Sequence, residues 1–305
     1  MGTTINTHTY FLIAALIAAF TCGNMYAQSG SEASGISFSY EEFKSSNTRL
    51  PYRQAVLAKD DSPSRLIIYL HGGTSRGNDN ITQLGEPGVD SIACFMSERG
   101  LSSIFIVPQC PADNTWVGRL TEVLNSLIGN IKRNVPSIED VYILGGSMGG
   151  TGTWSMLSLY PELFSAAMPV AGNPSRCNVE NVSKTPLLTV MGTGDKIMNI
   201  ETVKDFLSEL DDIGALYRFD IEEDWSHEDV CTQSYTIERL DWVFSYSRQS
   251  TQNAISDVTP NQRTLQKSEY ITPSGQIVHA PSGGLYIIRR TYSDNSVEVS
   301  KVHIR

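Results

Sequence analysis

"VYILGGSMGGTGTW", residues 141–154, decides the fold. An apolar, strand-forming run, Val141 to Leu144, stops at Gly145-Gly146 and puts out one serine, Ser147. It then passes Met148-Gly149-Gly150 before a segment with helical character through Tyr160. Glycine loses more backbone entropy on folding than any other residue, so such a cluster marks a place where β-carbons would obstruct something. Gly145-Gly146-Ser147-Met148-Gly149 fits the G-x-S-x-G elbow, in which a strand turns sharply into a helix with the serine strained at the apex. A glycine-rich packing loop is the bland alternative. The strand before and the helix after favour the elbow.

Working outward, further apolar, β-rich runs occur at 65–70, 103–107 and 186–191, separated by segments of helical period at 118–133 and 201–211. This alternation predicts an α/β fold, a mostly parallel sheet with crossover helices on both faces. Ligands of such sheets bind beyond the carboxyl ends of the strands, where Ser147 stands.

A nucleophilic serine needs a base, and the chain has five histidines. His8 lies in an apolar leader-like segment, His71 precedes the serine, and His279 and His303 lie in a distinct tail. In α/β-hydrolases the order along the chain is nucleophile, acid, histidine. That leaves His227, in "DWSHED" just beyond the strand-like 215–221. The acid is expected after the preceding strand, and "LLTVMGTGDKIMN" places Asp195 there; Asp224 is the rival. "YLHGGTSRGNDN" ends the first strong strand, so Gly73, with Thr74 as the other candidate, is read as an oxyanion donor beside the N–H of Met148. His71 then braces the loop. Glu222, Glu223, Asp224, Glu228 and Asp229 all lie within five residues of His227, and charge so close favours the imidazolium.

"LPYRQAVL", "LIIYLHGGTSRGNDN", "VPQCPADNTW", "VYILGGSMGGTGTW", "YPELFSAAMPVAG" and "GTGDKIMN" resemble, in order and spacing, a group of secreted α/β-hydrolases. The group is close to the polyhydroxybutyrate depolymerase, feruloyl esterase and acetyl xylan esterase families, and many members are described as predicted peptidases. The resemblance covers roughly residues 36–247 and implies a Ser147, Asp195, His227 triad. Around His227 the chain departs from the pattern, which has a Gly before the histidine and often a Trp after it, where this chain has Ser226 and Glu228-Asp229. The tail, "YITPSGQIVHAPSGGLYIIRRTYSDNSVEVSKVHIR", is similar to C-terminal sorting modules read by the type IX secretion machinery, with Gly275, Gly284 and Tyr286 in the expected places.

Composition frames these readings. The 305 residues are 40% hydrophobic and 18% charged, enough for one sizeable domain and an appendage. Residues 10–20, YFLIAALIAAF, match the core of a secretory signal, with cleavage expected after Ala27 and lipidation at Cys22 the lesser alternative. The expected organisation is a signal peptide at 1–27, a hydrolase domain at 28–247, a polar linker at 248–261 and a β-rich module at 262–305, with the protein secreted or on the cell surface. Residues 260–305 carry six Lys or Arg against three Asp or Glu, and 1–27 carry none of these, so the body between holds −13 of the total −10. Such a surface repels nucleic acid and anionic membranes.

An oxidising compartment permits disulfides among Cys94, Cys110, Cys177 and Cys231. Cys177–Cys231 is the pair to examine first, four separate buried thiols being the alternative. No ligand spacing suggests a metal, and no cofactor is expected.

About fifteen residues separate the strands ending near Val170 and starting near Pro186, too few for a helical cap. An uncapped site suits an ester on a bulky polymer, such as feruloyl or acetyl groups on plant polysaccharide. Trp116 and Trp225 are candidates for an aromatic platform, with packing as the competing role. A peptidase with the same triad and a non-catalytic binding protein are the other function classes.

Overall fold

The computed structural model describes residues 35–45, 48–58, 62–248, 265–272, 275–278, 284–292 and 297–304. The signal-like segment and nearly all of the expected linker lie outside the described residues. The described chain divides into two units, with the boundary after Arg248.

The first unit is built on an eight-stranded sheet. Its strands are β1 (Ser39–Ser45), β2 (Thr48–Leu57), β3 (Arg65–Leu70), β4 (Ser103–Pro108), β5 (Asp140–Gly146), β6 (Ala166–Val170), β7 (Leu187–Gly192) and β8 (Tyr217–Glu222). The order across it is β1-β2-β4-β3-β5-β6-β7-β8. The hairpin β1–β2 joins β4 antiparallel, and every pairing from β4 to β8 is parallel. The helices are α1 (Pro87–Arg99), α2 (Arg119–Asn134), α3 (Met148–Leu159), α4 (Val179–Val182), α5 (Ile200–Asp212), α6 (His227–Gln233) and α7 (Ile237–Phe244).

Helices on both faces explain why the central strands read as continuous apolar runs rather than alternating ones. Along β3, Leu66, Ile68 and Leu70 enter one core cluster and Ile67 and Tyr69 the other. The first cluster packs under α2, α3 and α5. In α2 the residues facing it are Leu120, Val123, Leu124, Leu127, Ile128 and Ile131, at helical spacing. The second cluster packs under α1 and α7 through Val89, Ile92, Leu240 and Val243.

The chain has the mostly parallel architecture expected from the sequence. The β6–β7 connection carries only the single turn of α4. The second unit is an antiparallel sheet of four strands, β9 (Leu265–Ile271), β10 (Ile277–Val278), β11 (Gly284–Tyr292) and β12 (Val297–Ile304), in the order β10-β9-β11-β12.

The Cys177–Cys231 pairing is corrected, and the other reading, separate thiols, is the one the structure shows. Cys94, Cys110, Cys177 and Cys231 are all free thiols. Cys177 packs against the first core cluster and Cys231 against the second, so the sheet itself stands between the pair examined first. Burial pushes the thiols of Cys110, Cys177 and Cys231 up to about 12.

Candidate active site

Ser147 is the residue between β5 and α3. Its backbone has φ 58° and ψ −115°, a left-handed conformation that few residues other than glycine adopt. Two hydrogen bonds hold it there: its N–H donates to Val170 O at 3.0 Å, and its carbonyl accepts from Thr151 N at 3.0 Å. The neighbouring glycines serve this turn by permitting close approach. Gly149 lies so near β3 that a β-carbon would stand 1.8 Å from Leu70 O.

Asp195 follows β7 and His227 begins α6, after β8. The His227 ring spans the distance between Asp195 and Ser147: Nδ1 is 2.8 Å from Asp195 Oδ2, and Nε2 is 2.7 Å from Ser147 Oγ. Asp195 has no exposed side-chain surface, and its other oxygen accepts the backbone N–H groups of Ile197 at 2.8 Å and Met198 at 2.9 Å. Its carboxylate is thus held by donors on one side and faces the imidazole on the other. With Nδ1–H donating to Asp195, Nε2 is left to accept the Ser147 hydroxyl proton.

The loop carrying His227 is fixed from both ends. Ser226 caps α6, accepting the Asp229 N–H, while the Asp229 carboxylate accepts the Ser226 N–H at 2.9 Å. The Ser226 hydroxyl, which donates to the Asp229 carboxylate at 2.6 Å, and then the Ser226 N–H hold that carboxyl below its ordinary range. Glu222 is bound by the Arg239 guanidinium. Two of the five carboxylates near His227 in sequence are therefore committed elsewhere. Asp224, the rival acid, donates its N–H to Thr193 Oγ1 at 2.8 Å, and it is Asp195 that meets the imidazole.

Gly73 opens a 3-10 turn, Gly73–Ser75, just beyond β3, and Met148 opens α3. The first N–H of a helical turn has no acceptor within the turn, so both groups are donors by position. β3 and β5 run in register, Leu70 opposite Gly145, which sets the turn beside the elbow. A β-carbon on Gly72 would lie 3.8 Å from Gly146 O, and above Gly73 there is open space. Thr74, second in the same turn, is exposed.

His71 is fully buried beneath this turn. Its Nε2 accepts the Cys110 N–H at 2.9 Å, so Nδ1 carries the proton and donates to Gly72 O at 2.6 Å. Burial holds its pKa down to about 4, and the ring is a neutral brace.

The two tryptophans need different treatment. The platform expected at Trp116 is corrected: its side chain has no exposed surface, and its indole N–H donates to His71 O at 2.9 Å. Trp116 supports the chain ahead of the Gly73–Ser75 turn from inside the core. Trp225 is half-buried against the second core cluster, two residues before His227.

Sequence reading missed Glu86, whose carboxylate reaches the turn at Gly72–Ser75. Cys231, expected from the sequence to lie near the rim of the site, has its Sγ 3.9 Å from His227 Nε2, one helical turn on. Among the described residues there is no group of three or more His, Cys, Asp or Glu that could hold a metal ion.

No protein-family model and no curated protein matches the chain. Solved structures do. A thermostable esterase aligns at 29% identity with a TM-score of 0.62, over 69% of this chain and 63% of its own. An S-formylglutathione hydrolase from Agrobacterium tumefaciens aligns at 15% identity, TM-score 0.57, over 73% and 99%. The fold is that of an α/β-hydrolase. The Pyrococcus furiosus esterase Pf2001 shares it at 14% identity and TM-score 0.57, over 73% and 98%. An acylaminoacyl peptidase from Pyrococcus horikoshii does so at 16% and 0.52, and this chain spans 41% of that protein's length. The α/β-hydrolase assignment covers the first unit, and the neighbours on it include esterases and a peptidase.

Proposed function

We propose that this α/β-hydrolase is a serine esterase working through Ser147, His227 and Asp195. The observation that carries the reading is the unbroken hydrogen-bonded line from Asp195 through His227 to Ser147. In this scheme His227 Nε2 takes the hydroxyl proton as Ser147 Oγ attacks the ester carbonyl, and Asp195 stabilises the imidazolium. The N–H groups of Gly73 and Met148 receive the oxyanion; each such donor is typically worth about 3 kcal/mol in the transition state. Collapse expels the alcohol, which leaves with the proton from His227. Water, activated in turn by His227, then releases the acid from the acyl-enzyme.

Feruloyl or acetyl esters on plant polysaccharide are the substrates we favour. The motif resemblance supports this, and so does the short β6–β7 connection, which adds no helical lid. The signal-like run at 10–20 supports export, and the tail's resemblance to sorting modules supports delivery by the type IX machinery to the medium or the cell surface.

The test is turnover of 4-nitrophenyl acetate, feruloylated and acetylated xylan fragments, and N-acyl peptides by wild type and Ser147→Ala. Ester hydrolysis lost in the variant, with fluorophosphonate labelling at Ser147, is the expected result. Turnover of peptides alone would assign a peptidase. An unlabelled protein inert on every substrate would make it a binding module.

A further inference from the structure

The turn that carries Gly73 has a second support outside the triad. Glu86 immediately precedes Pro87, the first residue of α1, and its carboxylate crosses to the turn. Oε1 accepts the Gly72 N–H at 3.2 Å and the Ser75 hydroxyl at 2.5 Å. These two groups flank Gly73 on either side. The Gly72 carbonyl is held as well, by Ser75 N at 3.3 Å and by the His71 ring at 2.6 Å. Gly72 is therefore held at its N–H by Glu86 and at its carbonyl by Ser75 and His71, and that carbonyl shares its peptide plane with the Gly73 N–H, which it thereby directs.

The contact is a close one. Gly72 has no β-carbon, and one built there would stand 3.5 Å from Oε1 and 3.8 Å from Gly146 O, between Glu86 and the nucleophile elbow. Glu86 is the N-cap residue of α1, yet its side chain makes no capping bond to that helix and is spent on the turn instead. The phenol of buried Tyr69 lies against it, and burial first, with the charge of Glu86 second, pushes that phenol's pKa well up. Tyr69 thus stays protonated and presents a hydroxyl rather than a competing anion.

We propose that Glu86 is a positioning residue, which sets the oxyanion loop by clamping Gly72 and Ser75 around Gly73. The inference rests on the esterase reading above. Oxyanion donors act on the transition state more than on the bound ester, so loosening the clamp lowers kcat and leaves KM nearly unchanged.

Three variants and one inhibitor test this with 4-nitrophenyl acetate. Glu86→Ala removes both bonds and is expected to lower kcat about 10- to 100-fold with KM within about threefold. Ser75→Ala removes one bond and falls between that variant and wild type. Glu86→Gln keeps an acceptor oxygen and recovers most of the lost rate. Affinity for a short-chain trifluoromethyl ketone, which forms a tetrahedral oxyanion on the serine, is expected to weaken in step with kcat/KM across the series.

If Glu86→Ala fails to fold, Ser75→Ala and Glu86→Gln carry the same comparison. Full kcat in Glu86→Ala, or in Ser75→Ala should the former not fold, overturns the inference. So does a loss appearing in KM alone, or inhibitor affinity that does not follow the rate. Wild type inert on the ester would overturn the esterase reading instead, so the two failures are distinguishable.

Discussion

A β-carbon on Gly149 would come within 1.8 Å of the Leu70 carbonyl oxygen. The first turn after Ser147 thus rests on Leu70, the last residue of β3, which leads to the Gly73–Ser75 turn. A methyl group there has to separate α3 from β3, and with them the N–H groups of Met148 and Gly73, the proposed oxyanion donors. Gly149→Ala is expected to cost about 1–3 kcal/mol of stability, as overpacked cores do. Its melting temperature should fall by roughly 2–4 °C per kcal/mol, and kcat/KM about 100-fold, because both donors lose register. Gly129→Ala is the contrast. In the middle of α2 its added carbon meets only the end of the Arg133 side chain, at 3.4 Å. Better helix propensity is expected to raise stability by about 0.5–1 kcal/mol with activity unchanged. Calorimetry and steady-state kinetics on the two variants decide the matter.

Asp195 and Asp224 lie on neighbouring loops, and only the first is hydrogen-bonded to the imidazole. Asp195→Asn keeps the shape but presents an amide to Nδ1, favouring the wrong tautomer. A fall in kcat of about 10³- to 10⁴-fold is expected, in a protein whose unfolding midpoint is little changed. Asp224→Asn is expected to stay within about threefold of wild type, since it is the backbone N–H of residue 224 that makes the contact with Thr193. Equal losses in both variants would place the acid wrongly.

His71 links acid stability to the same loop. The unfolded chain takes up a proton on this ring near pH 6.5, whereas burial delays that in the folded protein to about 4. The folded state therefore binds fewer protons in between, and its stability falls as the pH drops from 6.5 to about 4. Above pH 6.5 the contribution is whole; across the window on the order of 3 kcal/mol is lost. His71→Gln has no such titration. Urea unfolding at pH 7 and pH 4.5 is expected to show a lower stability for the variant at pH 7 and a smaller drop on acidification. An undiminished drop would mean that other groups set the acid limb.

Ser147 and Asp195 were legible because each follows a strand, β5 or β7, that is buried throughout, whereas β8 before His227 carries Arg218, Asp220 and Glu222, and His227 was reached by the order of the three residues along the chain. The elbow glycines mark where backbones touch. Other features are not written locally. Hairpin β1–β2 alternates along β1, with Glu41, Phe43 and Ser45 half-buried and Tyr40, Glu42 and Lys44 exposed, and this half-wet edge is a weaker signal than a buried strand. Trp116 has the same sequence context whether it faces a sugar or the core, and only the packing of α2 and α3 around it settles the question. Glu86 is fourteen residues from Gly72, and nothing in the sequence between them announces that α1 brings the carboxylate back to the turn.

Cys231 stands one helical turn after His227, its sulfur 3.9 Å from Nε2. An adduct on this sulfur would crowd the ring that has to accept the serine proton. Burial, however, raises the thiol to about 12, with the charges of Glu86 and Asp195 adding to the effect. At pH 8 the reactive thiolate is then about one part in ten thousand. Brief treatment with iodoacetamide at pH 8 is expected to leave esterase activity intact and Cys231 unmodified in the peptide map. The same reagent after unfolding in urea is expected to modify it, because the thiol returns to an ordinary pKa once desolvation is relieved. Inactivation of the folded enzyme in step with carbamidomethylation of Cys231 would show that the thiolate is stabilised in place, and that the burial seen around it does not govern its chemistry.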